Sequence, residues 1–137
     1  FDEEGVISNL KLQKLLYYAQ GHYLATHQGT PLFAEDIQAW SHGPVVPEVY
    51  HQYKDSGSNA IPFEDDFDFE SIDDDAHSWL AAVWQTFGSR SAWALREMTH
   101  NEPPWRDAYR DGERYLVIPK EALTEYFGGL YINSNPV

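Results

Sequence analysis

Asn9-Leu10-Lys11-Leu12-Gln13-Lys14-Leu15-Leu16-Tyr17-Tyr18-Ala19-Gln20 is the stretch that decides the fold. Leu12, Leu15, Leu16, Ala19 and Tyr23 recur every three or four residues and line one face of an α-helix that the pattern carries from Asn9 to Gln28. Leu10, Tyr17 and Leu24 make a second apolar stripe. A helix apolar over so much of its circumference belongs at the centre of a bundle. Its narrow polar sector carries Lys11, Lys14, Tyr18 and His22. That sector reads in two ways: as a plain solvated face, or as one turned towards a carboxylate, either internal at Glu48 or Glu102 or on another chain. Ser8 or Asn9 can cap the start, and Gly29 with Pro31 ends the helix.

Working outward, Leu32-Phe33 and Ile37-Gln38-Ala39-Trp40 read as short extended pieces with a turn at Glu35-Asp36. Pro47 can open a short helix with Val46, Val49, Tyr50 and Tyr53 inward. Ile72, Ala76, Trp79, Leu80, Val83, Trp84 and Phe87 give the cleanest helical periodicity in the chain, so Trp79, Leu80, Val83 and Phe87 are expected in the core. Ser71 with Asp74 resembles a capping box for this helix. Ser89 or Ser91 starts another helix, with Ala92, Leu95 and Met98 inward, ending near His100 because Pro103-Pro104 forbids its continuation. A further turn or short helix covers Trp105 to Arg110, and Tyr115 to Ile118 is extended. Pro119 opens a last helix that Gly128-Gly129 should end after Phe127. The sum is one compact, mainly α domain over residues 1–137, built around the N-terminal helix with a small antiparallel β element. Residues 58–71 read as a solvated acidic loop and 131–137 as a loose tail.

The 137 residues suit one domain, and 42% apolar with 15% aromatic content supports a core without staples. The chain has no cysteine, which excludes disulfides, thiolate nucleophiles and thiolate zinc sites and leans towards a cytoplasmic location. No run approaches the roughly 18 apolar residues of a membrane span. The net charge is −13, and more than half of it comes from the acids between Glu64 and Asp75. Such a chain repels phosphate backbones and attracts basic partners, so direct nucleic-acid binding is not expected.

The six histidines raise a metal hypothesis, but no pair stands four apart on a helix. The metal reading that survives joins His42, His100 and Glu102 from distant segments as a small metal-dependent hydrolase. Against it, no nucleophile elbow or phosphate-binding loop is present, so no catalytic residue, metal or cofactor is expected. Two segments are more specific. Trp40-Ser41-His42-Gly43-Pro44-Val45-Val46-Pro47 is a tight turn into a helix. Thr99-His100-Asn101-Glu102-Pro103-Pro104-Trp105 is a rigid corner, read either as pinned into the core by Trp105 or as a polar loop with His100 and Glu102 facing a partner. Prolines preorganise both, which lowers the ordering cost of binding. Between them they offer His42, Gly43, Pro44, Tyr50, His100, Glu102 and Trp105 as partner-binding residues beside Lys11, Lys14 and Tyr18. The competing reading is that both segments serve only the fold.

Asn9 to Gln20, Trp40 to Tyr50 and Thr99 to Trp105 together resemble, in order, three motifs of the Panacea domain, the SocA-like antitoxin family, and the closing Ile118 to Phe127 helix also fits. The resemblance spans residues 8–127. It implies an antitoxin of a bacterial or phage toxin–antitoxin pair that neutralises its toxin by direct protein contact. It also implies a second activity known in the family, as an adaptor that delivers the toxin to a cytoplasmic protease. The acidic composition makes a basic toxin the expected partner.

Overall fold

The structure is a computed structural model that describes residues 8–54 and 74–134, with only helical backbone for 74 and 131–134. The expected acidic loop at 58–71, the capping residue Ser71 and residues 135–137 of the expected tail lie outside the described residues.

Helix α1 (Asn9–Thr26) forms where the leucine repeat places it. Ser8 caps it: its backbone is extended, and its hydroxyl accepts the Lys11 N–H at 3.2 Å. At the other end Gln28 and Gly29 take positive φ, and the Gly29 N–H returns to the Leu24 carbonyl at 2.9 Å, so the helix stops at Thr26. The remaining elements are β1 (Ile37–Trp40), β2 (Gly43–Val45), α2 (Pro47–Gln52), α3 (Asp74–Phe87), α4 (Ala92–His100), α5 (Pro103–Ala108), β3 (Val117–Ile118) and α6 (Lys120–Ser134). α1 packs against α2, α3, α4, α6 and β2, and so stands at the centre, as its wide apolar circumference requires. Gly21 faces α6 at close range. A Cβ there would overlap the Phe127 ring of α6, so only glycine lets the two helices meet at this point.

The sheet is antiparallel in the order β2-β1-β3, with Trp40 opposite Gly43, Ala39 opposite Pro44 and Ile37 opposite Ile118. Pro44 sits on the edge strand, where its missing N–H interrupts no ladder. Ile37 and Ala39 alternate inward and are buried. Leu32 and Phe33 do not extend the sheet. The Gln20 side chain takes their backbone instead, accepting the Leu32 N–H at 2.7 Å and donating to the Phe33 carbonyl at 2.8 Å.

Two further expectations change. Leu80 lies on the outer flank of α3, 39% exposed, whereas Val83 is buried and Trp79 and Phe87 are half-buried. The apolar stripe of α3 is wider than the face that α1 covers. α6 does not end at Gly128-Gly129 but runs on to Ser134, so the first part of the expected tail is helical. A mid-helix glycine costs only about 1 kcal/mol, and buried Leu123 and Phe127 hold this helix to the core one turn earlier.

Candidate partner-binding site

The polar side chains of α1 are not presented to solvent. Lys11, Lys14 and Tyr18 are buried together with Asn9, Gln13 and Gln20, which corrects the solvated reading of that sector. Asn9, Lys11, Gln13 and Gln20 each bond a backbone group of another segment, as buried polar groups do in most folded chains. Asn9 Nδ2 donates to the Tyr50 carbonyl at 3.0 Å, Gln13 Nε2 donates to Asn9 Oδ1 at 2.8 Å, and Gln13 Oε1 accepts the Val46 N–H at 2.9 Å. This chain of bonds fixes α2 on α1. Lys11 Nζ donates to the Gly88 carbonyl at 2.7 Å, just past the end of α3, where a cation complements the helix dipole. It also lies 5.2 Å from the centre of the Trp84 ring.

Glu102 meets the same helix. Its two carboxylate oxygens accept the Tyr17 and Tyr18 hydroxyls, each at 2.9 Å. Of the two internal carboxylates that the sequence offered, the structure therefore pairs Tyr18 with Glu102, while Glu48 is exposed. Burial pushes the Glu102 carboxyl above its usual range, and the two phenols partly hold it down. Burial and the facing carboxylate drive both phenols far above their ordinary values. Glu102 is thus a bracket between α1 and the α4–α5 corner, with no oxygen left over from the tyrosine pair.

Gly43 follows the Ser41-His42 turn with φ +117, and a Cβ there would stand 2.7 Å from Lys14 Cε and 3.1 Å from Thr99 Oγ1. The backbone angle and the lysine stem together require glycine. Among the described residues, Lys14 Nζ, Arg96 Nε and His100 Nε2 are buried without a hydrogen-bond partner. Burial, and then the Arg96 charge, lowers the Lys14 amine to about 7. His100 is lowered by burial first and by Arg96 next, while a hydrogen bond with the Ser41 backbone and the Glu97 carboxylate work the other way.

The two motif segments meet at the surface. Trp105 Nε1, at the start of α5, donates to the Trp40 carbonyl at the end of β1 at 2.8 Å. The Trp105 ring lies 4.1 Å from the His100 ring and stacks on Tyr109 at 4.7 Å. Trp40 meets Tyr50 edge-on at 5.0 Å. His42 is exposed at the turn, Tyr50, His100, Glu102 and Trp105 are half-buried, and Gly43 and Pro44 are buried beneath them. The structure thus brings His42, Tyr50, His100 and Trp105 to one corner, with Lys11, Lys14, Tyr18, Gly43 and Pro44 behind it as its support.

Beside this corner lies a groove of about 590 Å³, lined in part by Trp40, His51, Tyr109, Asp111, Glu113 and Tyr115. Tyr115 is 72% exposed and carries φ 64, a backbone conformation unusual for a bulky residue. Sequence reasoning singled out none of these groove residues as site residues. The available signal was an alternation of aromatic and acidic residues around the Asp111-Gly112 turn, which has no helical or strand period to mark it. Among the described residues, no three histidines, aspartates or glutamates stand where they could share a metal ion. His42, His100 and Glu102 are directed to solvent, to Trp105 and to the tyrosine pair respectively. No helix of the described residues is long and apolar enough to cross a membrane.

Comparison with known proteins adds two findings. The profile of the family described as antitoxin SocA-like, Panacea domain, matches residues 12–106. The antitoxin SocA of Caulobacter vibrioides strain NA1000 / CB15N is 36% identical over 110 residues, covering 72% of this chain and 58% of the relative. The chain therefore spans less than two thirds of the length of that relative. No solved structure matches.

Proposed function

Because the chain belongs to the antitoxin SocA-like, Panacea domain family, we propose that it is an antitoxin that neutralises a protein toxin by direct binding in the cytoplasm, without catalysis of its own. The binding face in this reading is the corner made by His42, Tyr50, His100 and Trp105. The observation that carries it is the Trp105–Trp40 hydrogen bond, which joins two segments distant in sequence into one rigid aromatic surface. Half-buried tryptophan and tyrosine on a preorganised frame suit an interface anchor, since little rotamer freedom remains to be lost on binding. The net charge of −13 favours a basic toxin and fast encounter at low salt.

A toxicity-rescue assay with the toxin encoded next to this gene tests the reading. His42→Ala and Tyr50→Ala, each first shown to melt at the wild-type temperature, should weaken rescue and co-purification. Rescue and co-purification at wild-type levels by both variants would sink the proposed face. Toxin half-life in the same cells separates the two forms of neutralisation. A half-life unchanged by the antitoxin indicates sequestration, and a half-life shortened only in the presence of a cytoplasmic protease indicates delivery to that protease.

A further inference from the structure

We propose that the groove beside the corner is an arginine-binding site, which takes one guanidinium side chain carried on the surface of a protein partner. The inference rests on the reading of the corner as the partner-binding face and supplies the chemistry that reading lacks. Three aromatic residues, Trp40, Tyr109 and Tyr115, and two acidic ones, Asp111 and Glu113, line the groove. Rings and carboxylates in one groove are the combination that selects a cation: the ring faces attract it, and the acids pair with it. A planar guanidinium satisfies both at once, stacking on a ring while its fork reaches a carboxylate, whereas an ammonium is a hydrated point charge.

The groove is held ready for such a guest. Tyr109 donates to Asp111 Oδ1 at 3.2 Å, which orients that carboxylate. Behind Tyr109, Trp105 stacks at 4.7 Å and His100 lies 4.1 Å further back, so the ring cannot tilt freely. Trp40 Nε1 donates to Gln38 Oε1 at 3.0 Å, which orients its indole. Tyr115, 72% exposed with φ 64, lines the same groove, where its side chain is free to meet a guest. Arg114 is on the same rim and opposes an incoming cation. Its presence gives the proposal a charge test that a merely apolar groove would fail.

The probes are N-acetyl-arginine amide and its neutral isostere N-acetyl-citrulline amide, titrated into the isolated protein and followed by the Trp40 indole N–H resonance, assigned with Trp40→Phe. The arginine amide should give saturable shifts at Trp40 and bind at least about two- to fivefold more tightly than the citrulline amide, the range of one exposed cation–aromatic contact. The pair Asp111→Asn with Glu113→Gln should weaken binding several-fold, Tyr115→Ala should abolish it, and Arg114→Gln should tighten it. All three variants lie on exposed loop positions and should melt with the wild type. Equal shifts with arginine and citrulline amides, or arginine shifts that map away from Trp40, would overturn the proposal. Toxin pull-down separates this result from the fate of the antitoxin reading. Wild-type levels of toxin capture by the Asp111→Asn, Glu113→Gln, Tyr115→Ala variant overturn the groove as the toxin's arginine site and leave the antitoxin reading standing. Failure of the wild-type chain to capture any toxin, with the arginine shifts intact, sinks the antitoxin reading and keeps the site.

Discussion

Helices α1 and α3 lie against each other, yet they relate to the core in opposite ways. α3 has one apolar stripe and one polar flank, and of its described residues only Val83 is buried. α1 has no clean polar side, and eleven of its eighteen residues are buried, Asn9, Lys11, Gln13, Lys14 and Gln20 among them. A clear hydrophobic period marks a helix that has solvent on one side. A helix surrounded by other elements has no solvent side, so its pattern is blurred, and its polar side chains become tethers for the elements around it. Lys11 on the Gly88 carbonyl, Gln13 on the Val46 N–H and Gln20 on Leu32 and Phe33 each show this.

The largest expected effect is on the enclosed side. Phe127→Ala empties the space against Gly21 and both central tyrosines, and should cost about 3–5 kcal/mol in chemical denaturation. A loss below about 1 kcal/mol would mean that α6 is no more central than α3.

Next comes the polar bracket. Glu102→Leu leaves the Tyr17 and Tyr18 hydroxyls buried without an acceptor and should cost about 2–4 kcal/mol, of which Glu102→Gln should restore about half, since its one carbonyl oxygen can replace only one of the two acceptors. Equal stability of the two variants would show that packing, rather than the hydrogen bonds, holds the corner.

Lys14 sharpens the comparison by changing its sign. In the folded chain its amine titrates at about 7, against 10.5 as its ordinary value. Between those values the unfolded chain holds a proton that the folded chain has released. Stability should therefore rise with pH from about 7 towards about 9, below the range where tyrosines of the unfolded chain ionise. Below about 7 the full penalty of the buried charge applies. Lys14→Met should flatten this slope and raise stability near neutral pH by roughly 1–3 kcal/mol. Denaturation midpoints at acid, neutral and alkaline pH decide it, and an unchanged slope would place the amine in contact with solvent or an acceptor.

The smallest effect belongs to the helix with the clearest pattern. Leu80→Ala, on the outer flank of α3, should cost under about 1 kcal/mol, because a side chain 39% exposed loses little contact and leaves no closed cavity. A loss of 2 kcal/mol or more, the range of a buried leucine, would place that flank against a further part of the chain.

The mainly α architecture, the central place of α1, the helix ended by Pro103-Pro104 and the small antiparallel element were all legible in the sequence, because they follow from local rules: apolar spacing, capping residues and the geometry of proline and glycine. The two motif segments were legible for the same reason, one as a tight turn into a helix and the other as a proline-held corner. Tertiary structure alone decided that Lys11, Lys14 and Tyr18 face inward, that Glu102 is divided between two tyrosines, that α6 continues through two glycines, and that Trp40, Tyr109 and Tyr115 share a groove with Asp111 and Glu113. In each of these cases the outcome depends on a partner dozens of residues away. A lysine or a glutamate has the same local propensity whether it faces water or another helix, so its position in the chain could not reveal which it meets.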